Sequence, residues 1–235
     1  MKLLSSDYDL TLNCFDYDLR LNLLALKKFR MNNNIFLLNT GRPYNSIKSE
    51  IDNHKIAYDY LSCCDGNLLL NSDDKVIFAT NLSDEILKDL QLLSEEFPMI
   101  DVRPILYNGN ILEYEVRFPS KDKKLYMALV KLCSKYNLCV KDFSTYSLDG
   151  LNLRRNAVYY LCDKNVSKAT STQLVADIEN IDKSSIWTIG DHHNDVSMVK
   201  EFNGWTLPWG KKTVKEVSDG VCLSVASLVK KISRW

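Results

Sequence analysis

Short apolar runs that stop abruptly at polar or glycine positions set the pattern of the chain. They are Leu3 to Ser6 before Asp7, Ile35 to Leu38 before Asn39-Thr40-Gly41, Tyr60 to Cys64 before Asp65-Gly66, and Ile186 to Ile189 before Gly190-Asp191. Each has strand length and is nearly continuous in hydrophobicity, as expected of parallel strands covered on both faces. Between them apolar residues recur at helical spacing: Leu19, Leu23 and Leu26 with Arg30 closing the stripe, and Leu174 and Ile178 after Lys168. Strands alternating with helices predict an open α/β sheet. In such sheets ligands bind beyond the carboxyl ends of the strands, where the polar punctuation falls here.

The middle of the chain reads differently. Ser83 can cap a helix whose apolar positions are Ile86, Leu90, Leu93 and Phe97, and two acidic residues in its first turn suit the helix dipole. Strands are expected around 99–105 and 111–118. A second helix from about Ser120 repeats the spacing with Leu125, Leu129, Leu132 and Tyr136, and strands are expected around 138–145 and 156–162. Two αββ units of this kind make a small α+β module over 82–162, inserted into a core formed by 1–81 and 163–235.

Composition narrows the function. The 235 residues carry 30 Lys+Arg and 30 Asp+Glu, so the formal net charge is zero, and 46% are hydrophobic, enough for a sizeable core. Without a positive excess there is no general attraction to phosphate backbones or anionic membranes, so no nucleic-acid and no membrane partner is expected. No run of eighteen apolar residues occurs, and the acidic cluster after MKLLSS interrupts any secretory h-region, which predicts a cytoplasmic protein. Seven Cys without a C-x-x-C give neither a disulfide framework nor a zinc knuckle, and they read as small apolar residues. Three His are too few for His-rich zinc catalysis.

Carboxylates at i and i+2 on an extended chain point the same way, so Asp7 and Asp9 can address one site. Their repulsion raises one pKa unless a cation intervenes, which separates a nucleophile (Asp7) from a proton donor (Asp9). The last strand of the series ends in Gly190-Asp191-His192-His193-Asn194-Asp195, and Asp191 is a natural third oxygen ligand for a hard cation such as Mg²⁺. Asp195 could serve the same cation or cap the following helix. His192 and His193 are expected at tolerant loop positions. Lys168 near a helix N-terminus opposes the dipole, which a partner such as Asp7 would explain.

Asp7-x-Asp9-x-Thr11, Thr40-Gly41-Arg42, Lys168 and Gly190-Asp191-x-x-Asn194-Asp195, in that order, resemble the four motifs of the haloacid dehalogenase (HAD) superfamily of phosphatases. The insertion between the second and third motifs resembles the Cof-type, subclass IIB arrangement with a C2B cap. The resemblance implies a Rossmann-like core and a Mg²⁺-dependent phosphomonoester hydrolase acting on a small phosphate ester. It makes Asp7 the nucleophile and a metal ligand, and Asp9 the general acid/base, which also offers its carbonyl to the metal. Thr40, with backbone groups of Tyr8 and Gly41, would hold phosphoryl oxygens. Lys168 would pair with Asp7 and the phosphate, Asp191 would ligate Mg²⁺, Asn194 would contact phosphate, and Asp195 would orient metal waters or Lys168. A phosphomutase and a non-catalytic phospholigand-binding protein are the alternatives.

Three departures from the family pattern stand out: Leu10 stands where Gly is usual, Asp65 where Asn is frequent, and Trp209-Gly210 where a small residue and Asn often occur. In the insertion, period-two alternation puts Leu112, Tyr114, Val116 and Phe118 on one strand face and Glu113, Glu115 and Arg117 on the other. The polar face, with Arg103 from the preceding strand, is the expected reader of the substrate. Arg42 is a further substrate-binding candidate. Mixed acidic and basic groups suit a sugar phosphate, since carboxylates accept hydroxyl protons.

Overall fold

The computed structural model describes residues 1–14, 16–143, 145–149 and 152–233. The chain divides into two compact units, Met1–Phe78 with Val166–Trp235, and Ala79–Asn165.

The first unit is a mixed sheet between helices. Its strands are β1 (Leu3–Ser6), β2 (Ile35–Asn39), β3 (Tyr60–Cys63), β4 (Leu68–Asn71), β5 (Val76–Ala79), β11 (Ile186–Gly190), β12 (Asn203–Thr206) and β13 (Gly220–Val221). They lie in the order β13-β12-β11-β1-β2-β3-β4-β5. From β13 to β3 every pairing is parallel, and β4 returns antiparallel to β3. The four runs read from the sequence are β1, β2, β3 and β11, and the fold class is as expected. The antiparallel return was not expected. The run Leu68 to Leu70 follows β3 after only a tight turn, and its hydrophobicity does not tell direction. Helix α1 (Asp16–Met31) buries Leu19, Leu26 and Phe29, while Arg30 leaves the stripe to pair with Asp59 through two guanidinium nitrogens at 2.9 and 2.6 Å.

The strand order reverses at β1, which has β2 on one side and β11 on the other. Ser6 is level with Leu38 and Ile189. The residues just beyond these three strands therefore meet at one rim, the crevice where α/β sheets bind ligands.

The second unit is an antiparallel sheet in the order β6-β7-β10-β8, formed by β6 (Asp101–Tyr107), β7 (Asn110–Phe118), β8 (Leu138–Asp142) and β10 (Asn152–Asp163), with β9 (Thr145–Asp149) paired to β10. Helices α3 (Asp84–Glu96) and α4 (Lys123–Tyr136) supply Ile86, Leu90, Leu125, Leu129 and Leu132 to one cluster with Tyr114, Val116, Tyr159 and Leu161. Ser83 caps α3 by accepting from Glu85 N at 3.2 Å. Helix α4 starts slightly later than about Ser120, after Asp122, whose Oδ1 accepts from Lys124 N at 2.7 Å and Leu125 N at 3.1 Å, a start that brings Leu125 inward. None of the seven cysteines is in a disulfide, and Cys139 and Cys162 face each other in register with Sγ atoms 3.5 Å apart. Among the described residues no helix is long and apolar enough to cross a membrane.

The alternation on β7 holds in phase, and on its charged face Arg117 is exposed while the two glutamates are not. Glu113 and Glu115 are both buried. Glu115 accepts from Arg117 Nε and Nη2, both at 2.9 Å, and from Tyr160 OH at 2.8 Å. Burial pushes the Glu115 carboxyl up, but those hydrogen bonds and the charges of Arg117 and Arg103 outweigh it and hold the group below the usual glutamate range. A depressed carboxylate stabilises the fold fully above its unfolded pKa, and the stabilisation is lost as pH falls through the folded value. Melting temperatures followed from about pH 7 down to about pH 3 are expected to fall less steeply in Glu115→Gln than in the wild type. Parallel profiles would show that Glu115 carries no such linkage.

Candidate active site

The turn after β1 carries Asp7. Its N–H continues the ladder to Ile189 O at 3.0 Å, so the strand register fixes where its carboxylate begins. Lys168 opens helix α5 (Lys168–Ile178), which Ser167 starts through a reciprocal capping pair with Thr170. The ammonium of Lys168 is fully buried and donates to Asp7 Oδ1 and Asp195 Oδ1, both at 2.6 Å. Asp7 thus supplies the partner that a lysine at a helix N-terminus needs.

Asn39, at the end of β2, fixes the lysine from behind. Its Nδ2 lies 2.9 Å from Lys168 O and 3.2 Å from the hydroxyl oxygens of Ser5, Ser171 and Thr172. Sequence reading missed this residue. Its only signal was a polar amide ending an apolar run.

The turn after β11 is shaped around Asp195. Oδ2 accepts from the N–H groups of Asp191 and His192, both at 2.9 Å, and Oδ1 takes Lys168. A Cβ on Gly190 would stand 2.4 Å from Asp195 Cγ, so this close approach requires glycine. Asp195 therefore orients both Lys168 and the Asp191 backbone. His192 is half-buried, and His193 Nδ1 meets Thr213 Oγ1 at 2.9 Å.

Asp7, Asp191 and Asp195 each present an oxygen within 4.8 Å of the others, all three being buried. Thr11 Oγ1 donates to Asp191 Oδ1 at 2.9 Å. Burial drives the Asp7 carboxyl up; Lys168 opposes this, and Asp195 and Asp191 add to it, leaving it well above the carboxylate range. Burial, with the charge of Asp195, pushes Asp191 up to about 6. Three carboxylates against one ammonium leave buried negative charge uncompensated. A hard divalent cation fits such an all-oxygen donor set.

Asp9 and Arg42 pair with each other. Arg42 Nε and Nη2 donate to Asp9 Oδ2 and Oδ1 at 2.8 and 2.6 Å, Nη1 reaches Glu50 at 3.4 Å, and the guanidinium lies 5.2 Å over the buried Tyr8 ring. Tyr8 OH donates to Glu50 Oε2 and accepts from Asn13, both at 2.9 Å. Thr40 is buried, and its hydroxyl oxygen accepts from Arg42 N at 3.1 Å. Asn194 Nδ2 donates to Asp65 Oδ1 at 2.8 Å. Leu10, in the left-handed region at φ 55, gives its carbonyl to Trp209 Nε1 at 2.7 Å, so two departures from the family pattern touch each other. Arg103, Glu113, Glu115 and Arg117 belong to the other unit, where Arg103 pairs with Asp101 at 2.7 Å.

Solved structures share this fold. The phosphatase BT1666 from Bacteroides thetaiotaomicron is 19% identical with a TM-score of 0.69, over 100% of this chain and 94% of its own. A protein from Eubacterium rectale is 15% identical with a TM-score of 0.76, over 100% and 98%. The HAD subclass IIB sugar phosphatase BT4131 is 14% identical with a TM-score of 0.72, over 100% and 98%. No curated protein matches the sequence. A profile of the haloacid dehalogenase-like hydrolases matches residues 18–137 and 139–227, a span that takes in Thr40, Lys168, Asp191 and Asp195 and begins after Asp7 and Asp9. The chain belongs to the haloacid dehalogenase-like hydrolase family.

Proposed function

We propose that the protein is a Mg²⁺-dependent phosphomonoester hydrolase acting on a small phosphorylated metabolite, of which a sugar phosphate is the class the polar residues suit best. The observation that carries the reading is the buried contact of Asp7 with Lys168 at 2.6 Å, at the rim where Asp191 and Asp195 converge. A carboxylate oxygen of Asp7 attacks phosphorus, forming an aspartyl-phosphate as the bond to the leaving oxygen breaks. Asp9 gives that oxygen a proton and later takes one from the water that attacks the aspartyl-phosphate, so inorganic phosphate leaves and both carboxylates are restored.

Lys168 offsets charge on the equatorial oxygens, and the Thr40 hydroxyl, the Asn194 amide and the Tyr8 and Gly41 backbone hold them. Asp9 must part from Arg42 to reach the leaving oxygen, so the ion pair at 2.6 Å belongs to the resting site. Asp7 and Asp191 would hold the cation, with the Asp9 carbonyl and with Asp195 organising that end; when bound it neutralises charge on the phosphoryl group. Release of phosphate from a panel of sugar phosphates, nucleotides, phosphoglycolate, pyridoxal phosphate and flavin mononucleotide, with Mg²⁺ or with EDTA, tests the reading. Turnover that persists in EDTA would remove the metal from it.

Arg103, Glu113, Glu115 and Arg117 are proposed to set the order of preference within that panel. Alanine at all four is expected to change which ester is turned over fastest. An unchanged ranking would assign specificity elsewhere.

A further inference from the structure

The mechanism leaves one buried carboxylate unused. Asp65 follows β3 in a turn where Cys64 and Asp65 both adopt left-handed backbone, at φ 51 and 55, and it is only 4% exposed. Its N–H donates to Thr40 O at 3.1 Å, which ties it to the turn after β2. Its Oδ1 takes the Asn194 amide at 2.8 Å. The same oxygen would lie 3.0 Å from a Cβ on Gly41, with Asn194 Nδ2 at 3.2 Å from that point, so a side chain at 41 would press on both groups. The charge of Asp65 also acts on Lys168. One carboxylate is thus built into Gly41, Asn194 and Lys168, three of the groups that would hold phosphoryl oxygens.

A carboxylate in that position acts in two ways. Its hydrogen bond fixes the orientation of the Asn194 amide. Its negative charge opposes any anion in the cradle, and at short range in a buried setting this repulsion is little screened. Product phosphate shares the phosphoryl contacts of the substrate, so a cradle of lysine, amide, hydroxyl and cation would otherwise retain it. We propose that Asp65 is a positioning residue of the phosphate cradle that keeps Asn194 in place and whose charge weakens the cradle's hold on inorganic phosphate. The inference rests on the phosphatase reading.

The test uses the full chain with Mg²⁺ and inorganic phosphate as the probe, reading its dissociation constant by calorimetry and its inhibition of ester hydrolysis. Asp65→Asn keeps an oxygen that can accept from Asn194, suits the left-handed backbone and removes the charge. It is expected to bind phosphate at least about fivefold more tightly than the wild type, with kcat lowered as release slows. Asp65→Gly also suits that backbone and removes charge and hydrogen bond together; it is expected to bind phosphate more tightly than the wild type but less tightly than Asp65→Asn. Phosphate binding no tighter than wild type in both variants overturns the inference, and if the wild type hydrolyses esters it does so without touching the phosphatase reading. Tighter binding in the variants of a protein that hydrolyses no ester would sustain the role of Asp65 in an anion cradle and sink the phosphatase reading instead.

Discussion

Asp7→Asn is expected to lower phosphate release by at least about 10³-fold on every ester, with KM changed far less. The amide keeps the size of the side chain and can still accept from Lys168, so the fold and the lysine contact survive. What it lacks is a nucleophilic oxygen. Asp7 directly follows the strand at the reversal of sheet order, and its N–H is pinned to Ile189 O, so the strand register fixes its place. The check is initial rates with the preferred ester, with melting curves to show that the variant folds. Activity within tenfold of wild type would end the aspartyl-phosphate mechanism.

Lys168→Met carries the second large effect, on stability as well as rate. The ammonium is wholly buried between Asp7 and Asp195, and Met is close in length but uncharged. Removing one member of a buried ionic cluster leaves its partners without compensation, at a cost of about 3–5 kcal/mol. Urea unfolding is the measurement. The double variant Lys168→Met/Asp195→Asn is expected to recover part of the loss, because deleting both partners strands less charge than deleting one. A single variant as stable as wild type would mean that the cluster is compensated in some other way. Hydrolysis by Lys168→Met should be slight even where the protein is folded, since the charge that faces the equatorial oxygens is gone.

How much of this was legible in the sequence follows from what each feature depends on. Asp7 and Asp191 stand out because strand ends leave a local mark, an apolar run cut by a carboxylate, whereas Lys168 stands out only by its place in the order of the family motifs. The pairs Arg42–Asp9, Asp65–Asn194 and Trp209–Leu10 left no such mark, since each joins turns from different parts of the chain. Arg42 is a substrate-binding candidate in the sequence. In the structure its guanidinium faces Asp9 and Glu50. On β7 the alternation is correct in phase, but it does not tell which members of the charged face are buried. Glu115 is buried because Arg117 and Tyr160 satisfy it, and Tyr160 comes from a strand whose pairing with β7 periodicity cannot show.

The position of β1 has a consequence for how the chain folds. Its neighbour β11 is made only after the whole of Ala79–Asn165 has been synthesised, and Lys168 and Asp195 lie on the same late segment. The inserted unit draws its pairings from its own contiguous stretch, so it can complete its sheet during translation, while the central parallel pair must close a far longer loop. Until that loop closes, Asp7 has neither its lysine nor its carboxylate partners. A ribosome-bound chain ending before β11 lacks both Asp191 and Asp195, so the site is incomplete until the strand that pairs with β1 has been made.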